Sequence, residues 1–346
     1  MSTLEIKRRL CADDLSAVAD LLRLAEQVDG HQVLGAHDWV DLATGGRHDF
    51  AGLVAWEPGH EHPVGYAQVT RNQHNWAVEL VIDPHHRYEA LTIGPELLGS
   101  ALDVVGAEGG GHVHWLVYEP TSVHEQIAVG AGLRRGRDLW QMRRSLPVPP
   151  PVGGTAVGEV AALPTRPFVP GRDEAAWLEV NNRAFERHPE QGDWTAATLK
   201  EREAEPWFDP DGFLLHEGNE PTGPPGRRRL AGFCWTKVHD DHDPPLGEIY
   251  VVAVDPDFAG RGLGRALVLA GLDHLHRRGL STAMLYVDAS NTRAVRLYEN
   301  LGFELNHVDR AFVGDVVPSA DRPPPQAGAA NSPERSERQR ASEGEN

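Results

Sequence analysis

Apolar positions along this 346-residue chain follow two spacings. Short β-branched runs such as Ile249–Val254 are apolar without interruption, as expected of buried strands. Between such runs, Leu263, Leu267 and Ala270, joined by Ala266, Leu269 and Leu272, recur at the spacing of an amphipathic helix.

The same series of elements is written twice. In the first half GYAQVT and AVELVIDPHHR read as strands, IGPELLGSALDVVGAEG as a helix and HVHWLVYEP as a strand, before a helical piece ending GAGLRRG. In the second half the series is AGFCWTKV, GEIYVVAVDPDFAGRGLGRA, LVLAGLDHLHRRG, AMLYVDAS and TRAVRLYENLGFE. Pro84 matches Pro256 at a spacing of 172 residues, and Gly132 matches Gly302 at 170. A period this long marks a duplicated domain rather than a solenoid unit. Alternating strands and helices predict an α/β (α+β) fold, with a mixed sheet flanked by helices in each copy. The length suits two domains of ~150 residues.

Two segments interrupt the pattern. PVPPPVGG, beginning at Pro147, suits an extended linker. After Val317 large apolar residues almost vanish, which predicts a disordered tail. The expected divisions are 1–147, a linker at 148–158, a second domain at 159–316 and a tail at 317–346.

Composition excludes several classes. With Lys+Arg 33 against Asp+Glu 51, the net charge is −18, which argues against a nucleic-acid partner. Two cysteines cannot build a disulfide framework and point to a reducing compartment. The N-terminus lacks the apolar core of a signal peptide, and no run approaches the ~20 apolar residues of a membrane span. The expectation is a soluble, cytoplasmic, monomeric protein with a small-molecule partner. His239–Asp243 is dense in His and Asp, but between two strands and before two prolines it reads as a solvated hairpin loop. His60, His62, His85 and His86 likewise read as loop residues, so no metal is expected.

The strongest chemical signal is VDPDFAGRGLGRA, residues 254–266, where a strand ends and a glycine-rich turn opens a helix. Unpaired N–H groups and the helix dipole favour an anion there. Gly260, Gly262 and Gly264 allow close backbone approach, and Arg261 and Arg265 add charge. A P-loop would need Lys-Ser/Thr, which is absent; a Rossmann fingerprint is matched only superficially.

This loop, with the later Asn291, Ala294, Tyr298, Gly302 and Phe303, resembles two motifs of the GCN5-related N-acetyltransferases (GNATs) in their usual order. One departure is Ala259, where that family normally has Gln or Arg. The resemblance implies acetyl-CoA as acetyl donor. Val252, Ala253 and Val254 would pair with its pantetheine arm. Ala259, Gly260, Arg261, Gly262, Leu263, Gly264 and Arg265 would hold its pyrophosphate. Asn291, Thr292, Arg293, Ala294, Val295 and Arg296 would line its other side. Glu248, just before the loop, would act as general base and Tyr298 as the acid for the departing sulfur. An N–H near Val252 would polarise the thioester carbonyl. Leu80, Val81 and Ile82 are the first copy's counterparts on the cofactor strand. There Ala90 and Thr92 replace the turn glycines, so the first copy is expected to bind acetyl-CoA weakly or not at all and to be catalytically silent.

NNRAFERHPEQGDWT, WFDPDG and GFCWTKVH further resemble the mycothiol-forming branch of that family, most closely over Val180–Gly314. That implies acetylation of the cysteinyl amine of a cysteinyl-glucosaminyl-inositol conjugate. Glu190, Lys237 and Glu248 would contact this acceptor, as would Tyr286. In the first copy Ala36 stands at the family's acidic contact, and Asp38 is the nearest carboxylate. Open alternatives are an acetyltransferase for another small amine or a protein N-terminus, and a non-catalytic acyl-CoA-binding module.

Overall fold

The computed structural model describes residues 4–31, 33–34, 50–71, 75–148, 163–186, 194–218, 229–240 and 242–321. The expected linker beyond Val148 and the expected tail beyond Asp321 lie outside these residues. The chain divides into two compact units, residues 1–114 with 314–346, and residues 115–313.

In the first unit β1 (Glu5–Lys7), β2 (Phe50–Trp56), β3 (Gly65–Arg71) and β4 (Trp76–Ile82) form antiparallel neighbours in that order. Val54, Tyr66 and Val81 stand opposite one another across three strands. They receive Val18, Leu21, Leu22 and Ala25 of α1 (Ala12–Asp29). Gly65 precedes Tyr66 and so faces the other side, where Ile93 and Leu97 of α2 (Ala90–Ala107) lie against it. Contrary to the expectation above, segment 84–107 is long and apolar enough to cross a membrane by length and composition. Its apolar stripe is occupied by the sheet: Ile93, Leu97, Leu98, Ala101 and Val105 are all buried.

β5 (Gly111–Tyr118) spans the division between units. The second unit continues with α3 (Ser122–Gly130), β6 (Arg134–Ser145), β7 (Arg166–Pro167), α4 (Glu174–Ala184), α5 (Ala196–Glu203) and β8 (Phe213–Glu217). β9 (Leu230–His239), β10 (Leu246–Val254), α6 (Leu263–Arg277), β11 (Thr282–Asp288), α7 (Thr292–Glu299) and β12 (Glu304–Val316) complete it. The strand order is β12-β6-β11-β10-β9-β8-β7, and β10 with β11 is the parallel pair. One face carries α6 and α7, burying Leu267, Leu272 and Tyr298 against Cys234, Ile249 and Leu285. A Cβ on Gly271 would come within 2.6 Å of Cys234 Sγ, so α6 reaches the sheet only with glycine there. The other face buries Trp177 and Leu199 against Phe213, Phe233, Trp235 and Val251.

The units do not divide at residue 147. β6 lies between β11 and β12, antiparallel to both, and buries Met142 in the α6–α7 core. The last strand of the first sequence copy thus belongs to the second unit.

Candidate active site

The site is built on β10. Against β9 this strand is paired from Leu246–His239 to Val254–Gly232, with one register shift between Ile249 and Val251. Tyr250 is the extra residue, and both it and Val251 pack toward the Trp235 cluster. Against β11 the pairing is limited to Gly247–Ala283 and Glu248–Met284. Beyond Glu248 the two parallel strands share no register, so Val252, Ala253 and Val254 border a gap. An extended ligand can enter such a gap as an added strand.

Asp255 ends β10 and accepts the Asp257 N–H at 2.9 Å, capping a short turn at Pro256–Phe258. It is fully buried and pairs with Arg183 and Arg229, each at 2.9 Å. Asp257 pairs with the same two arginines at 3.0 and 2.7 Å. Two carboxylates directly before the loop are thereby neutralised, which keeps their field from repelling an anion. Gly260 and Gly262 then take φ of +79° and +77°, a region that strains any L side chain. A Cβ at either would meet nothing within 4 Å, so backbone conformation rather than crowding demands glycine. Gly262 caps α6, whose first bond joins the Ala266 N–H to the Gly262 carbonyl at 3.3 Å. The N–H groups of Leu263, Gly264 and Arg265 thus precede the helical ladder, at the positive end of the dipole. With Ala259, Arg261 and Arg265 exposed around it, this cradle fits a pyrophosphate.

Glu248 is the last residue paired with β11 and is 7% exposed. Directly opposite on β9 stands Lys237, its Nζ 4.8 Å from the Trp207 ring and 5.9 Å from the Tyr250 ring. Tyr286 lies two residues beyond Met284 and so shares the Glu248 face of the sheet. Its hydroxyl accepts the Gln141 Nε2–H at 2.8 Å, while Gln141 Oε1 accepts from Arg143 at 2.7 Å and Asn306 at 3.2 Å. Glu248, Lys237 and Tyr286 therefore share one polar and aromatic face.

The sequence reading missed His239. Instead of belonging to a solvated loop, it is the last residue of β9, and its Nε2 lies 2.7 Å from Glu248 Oε2. His239 pairs with Leu246, which makes Glu248 its diagonal neighbour across the hairpin. The signal was the short, proline-closed hairpin between them, which fixes that register.

Tyr298 lies on the opposite face, among Val295, Leu301 and Phe303. Burial first, and nearby Cys234 second, raise its phenol above the ordinary range. Cys234 is buried as packing, as its strand position suggests, and burial pushes its thiol up to about 12. Both groups therefore keep their protons at neutral pH. Asn291 caps α7 by accepting the Ala294 N–H at 3.1 Å. Thr292, Arg293 and Arg296 are exposed, and Ala294 is half-buried. Val295 turns into the core and its N–H bonds the Asn291 carbonyl at 3.0 Å, so its side chain and its N–H are both committed to the fold.

In the first unit Leu80, Val81 and Ile82 pair with Ala67, Tyr66 and Gly65 in unbroken register, and the following turn enters α2 at Ala90. From Asp83 to Thr92 no residue has a positive φ, so that turn has no left-handed glycine cradle. Asp38, its neighbour Ala36, and Glu190 lie outside the described residues. No metal-ligand spacing is legible in the sequence, yet His60, His62 and His86 are brought together.

Residues 175–303 match the sequence profile of the acetyltransferase (GNAT) family. A mycothiol acetyltransferase of Acidimicrobium ferrooxidans is 43% identical over 302 residues, covering 86% of this chain and 93% of the relative. Another, of Thermobispora bispora, is 42% identical over 310 residues, covering 89% and 98%. The chain belongs to the mycothiol acetyltransferase family. Its fold agrees with solved structures. A GCN5-related N-acetyltransferase from Sphaerobacter thermophilus superposes with a TM-score of 0.64 at 25% identity, covering 91% of this chain and 96% of that one. A tandem GNAT protein from the clavulanic acid biosynthesis pathway gives 0.62 at 17% identity, covering 92% and 100%. As a member of the mycothiol acetyltransferase family the chain is a tandem GNAT protein, and the glycine cradle lies within its profile-matched second copy.

Proposed function

We propose that this chain transfers the acetyl group of acetyl-CoA to the cysteinyl amine of a cysteinyl-glucosaminyl-inositol conjugate, the step that completes mycothiol. The observation that carries the reading is the position of Glu248. It is the last paired residue before β10 and β11 separate, on the same face as Lys237 and Tyr286.

An ammonium must lose a proton before it can attack a thioester. Glu248 accepts that proton, directly or through one water, while His239 at 2.7 Å holds the carboxylate in place. The Val252 N–H polarises the thioester carbonyl from the edge of the gap, and the attacking amine forms the new C–N bond. Tyr298, protonated by virtue of its burial, supplies a proton to the departing thiolate. The Gly260–Arg265 cradle, with Arg293 and Arg296 exposed on α7, holds the phosphates. Lys237, Tyr286 and the rings of Trp207 and Tyr250 receive the hydroxylated acceptor, polar groups meeting hydroxyls and aromatic faces meeting sugar C–H groups. Glu190 is a further acceptor contact in this reading.

The test is acetyl-CoA turnover with the conjugate, free cysteine and a peptide amine side by side. The conjugate should give the highest kcat/KM. Equal or better turnover of the peptide would reject the assignment of acceptor while leaving acetyl transfer standing.

A further inference from the structure

The first unit contains a cluster that acetyl transfer does not use. His60 and His62 lie between β2 and β3, and His86 lies in the turn after β4. The ring centroids are 5.1 Å apart for His60–His86, 5.6 Å for His62–His86 and 5.9 Å for His60–His62. One ring nitrogen from each lies within 4.8 Å of the other two. Three imidazoles on one tetrahedral zinc, with Zn–N of ~2.0–2.1 Å, have centroids about 5 Å apart. The rings already stand close to that triangle, and rotation of the exposed His60 and His62 side chains closes the remainder.

Each ring also has a carboxylate beside it. His86 Nδ1 lies 2.9 Å from Asp83 Oδ2, His62 Nε2 lies 3.4 Å from the same oxygen, and His60 Nε2 lies 3.3 Å from Glu57 Oε2. Asp83 is 1% exposed and is fixed further by the His85 N–H at 3.0 Å. A carboxylate on one ring nitrogen selects the tautomer and leaves the other nitrogen as a lone pair, as in metal-bound histidines. His86 is set in this way: buried, donating Nδ1–H to Asp83, with Nε2 left to coordinate. Asp83 draws His62, His85 and His86 around itself, whereas His60, held by Glu57, joins the same cluster from the end of β2.

We propose that His60, His62 and His86 form a binding site for a divalent cation of the zinc class, with three nitrogen ligands and a fourth position left for water or a small ligand. An all-imidazole donor set favours zinc, cobalt, nickel or copper over magnesium and calcium. The site stands apart from the acetyl-transfer reading, and each can fail without the other.

The metal-free full-length chain is titrated with Co2+, following the visible absorption of tetrahedral cobalt, and then with Zn2+ by calorimetry. One equivalent should give the tetrahedral spectrum and be displaced by zinc. His60→Asn with His62→Asn, both at exposed positions, should remove that equivalent while leaving circular dichroism unchanged. Asp83→Asn, where it folds, should weaken zinc about 10–100-fold by freeing the His86 tautomer. His112→Asn with His114→Asn removes another close pair of rings, 4.9 Å apart, and should keep the site. Equal metal uptake by the wild type and the His60/His62 double variant overturns the proposal, as does loss of the site in the His112/His114 variant alone.

Discussion

The two units begin alike and part company at one turn. In the first, Lys7 on β1 bonds Asp14 at the start of α1 at 2.9 Å; in the second, Arg166 on β7 grips Asp173 at the start of α4 at 2.6 and 3.1 Å. Each cation and carboxylate are seven residues apart. Each unit also ends its fourth or corresponding strand in a buried Asp-Pro, with Asp83 accepting the His85 N–H and Asp255 the Asp257 N–H. From there the turns diverge. Asp83 is ringed by imidazoles and leads straight into α2, whereas Asp255 is ringed by guanidiniums and leads into two left-handed glycines. β4 has no register shift where β10 bulges, and Trp76 stands 172 residues before Glu248. The anchors that hold the fold are shared, whereas among the described residues the left-handed glycine turn after the Asp-Pro and the Glu248–His239 pair belong to the second unit.

The largest blow to that asymmetry is Glu248→Gln. It should lower kcat by about 10²–10⁴, the usual worth of a general base, with acetyl-CoA affinity nearly unchanged. Turnover near wild type would remove the base from the scheme. Next comes His239→Phe, which removes a hydrogen bond to a charged group worth about 1.5–3 kcal/mol. We expect a 10–100-fold loss in kcat, an altered pH profile and an unchanged KM for acetyl-CoA; an intact kcat with an intact profile would leave His239 purely structural.

The shared staples can be compared by acid titration. Burial alone would raise the Asp173 carboxyl, but Arg166, Arg172 and the Val169 N–H outweigh it and hold it at about 2. At Asp14 burial is likewise overcome, by the Cys11 N–H and Lys7, and the carboxyl ends below its ordinary value. A depressed folded pKa stabilises fully above the unfolded value near 3.8, and that stability is lost as pH falls through about 2. Asp173→Asn should therefore cost about 2 kcal/mol at neutral pH and flatten the decline in stability between pH 4 and 2. Asp14→Asn should do the same less strongly. Denaturant melts across that range decide, and parallel acid limbs in wild type and Asp173→Asn would refute the staple.

The smallest effect concerns the cradle itself. Gly262→Ala puts a side chain at φ +77°, at a cost of ~1–2 kcal/mol. That should weaken acetyl-CoA about tenfold. Thr92→Gly in the first unit should leave calorimetric stoichiometry at one acetyl-CoA per chain, since the cradle needs a turn and not a single glycine. Two tight sites in the wild type would erase the distinction between the copies.

What could be read from the sequence was local or periodic. The repeat, the glycine loop, the Asn291 cap and the strand bearing Glu248 each depend on residues close in the chain. What escaped depends on pairing between distant segments. His239 meets Glu248 only through hairpin register, and the bulge at Tyr250 is set by how β9 meets β10. His60 and His62 meet His86 only because β3 and β4 pair and bring the ends of two connections together. Val295 sits inside a motif that otherwise faces outward, and only helix phase turns it to the core.

The placement of β6 bears on the history of the gene. Its residues belong to the first copy of the duplicated sequence, yet they pair with β11 over seven positions, from Thr282–Ser145 to Asp288–Leu139, and separate that strand from β12. A descendant cut between its halves would leave the retained second half with an empty lane in its sheet and two unsatisfied edges, an invitation to aggregate. Once that strand was lent, the duplication could no longer be undone by simple deletion, and the first half was secured against loss whether or not it bound anything.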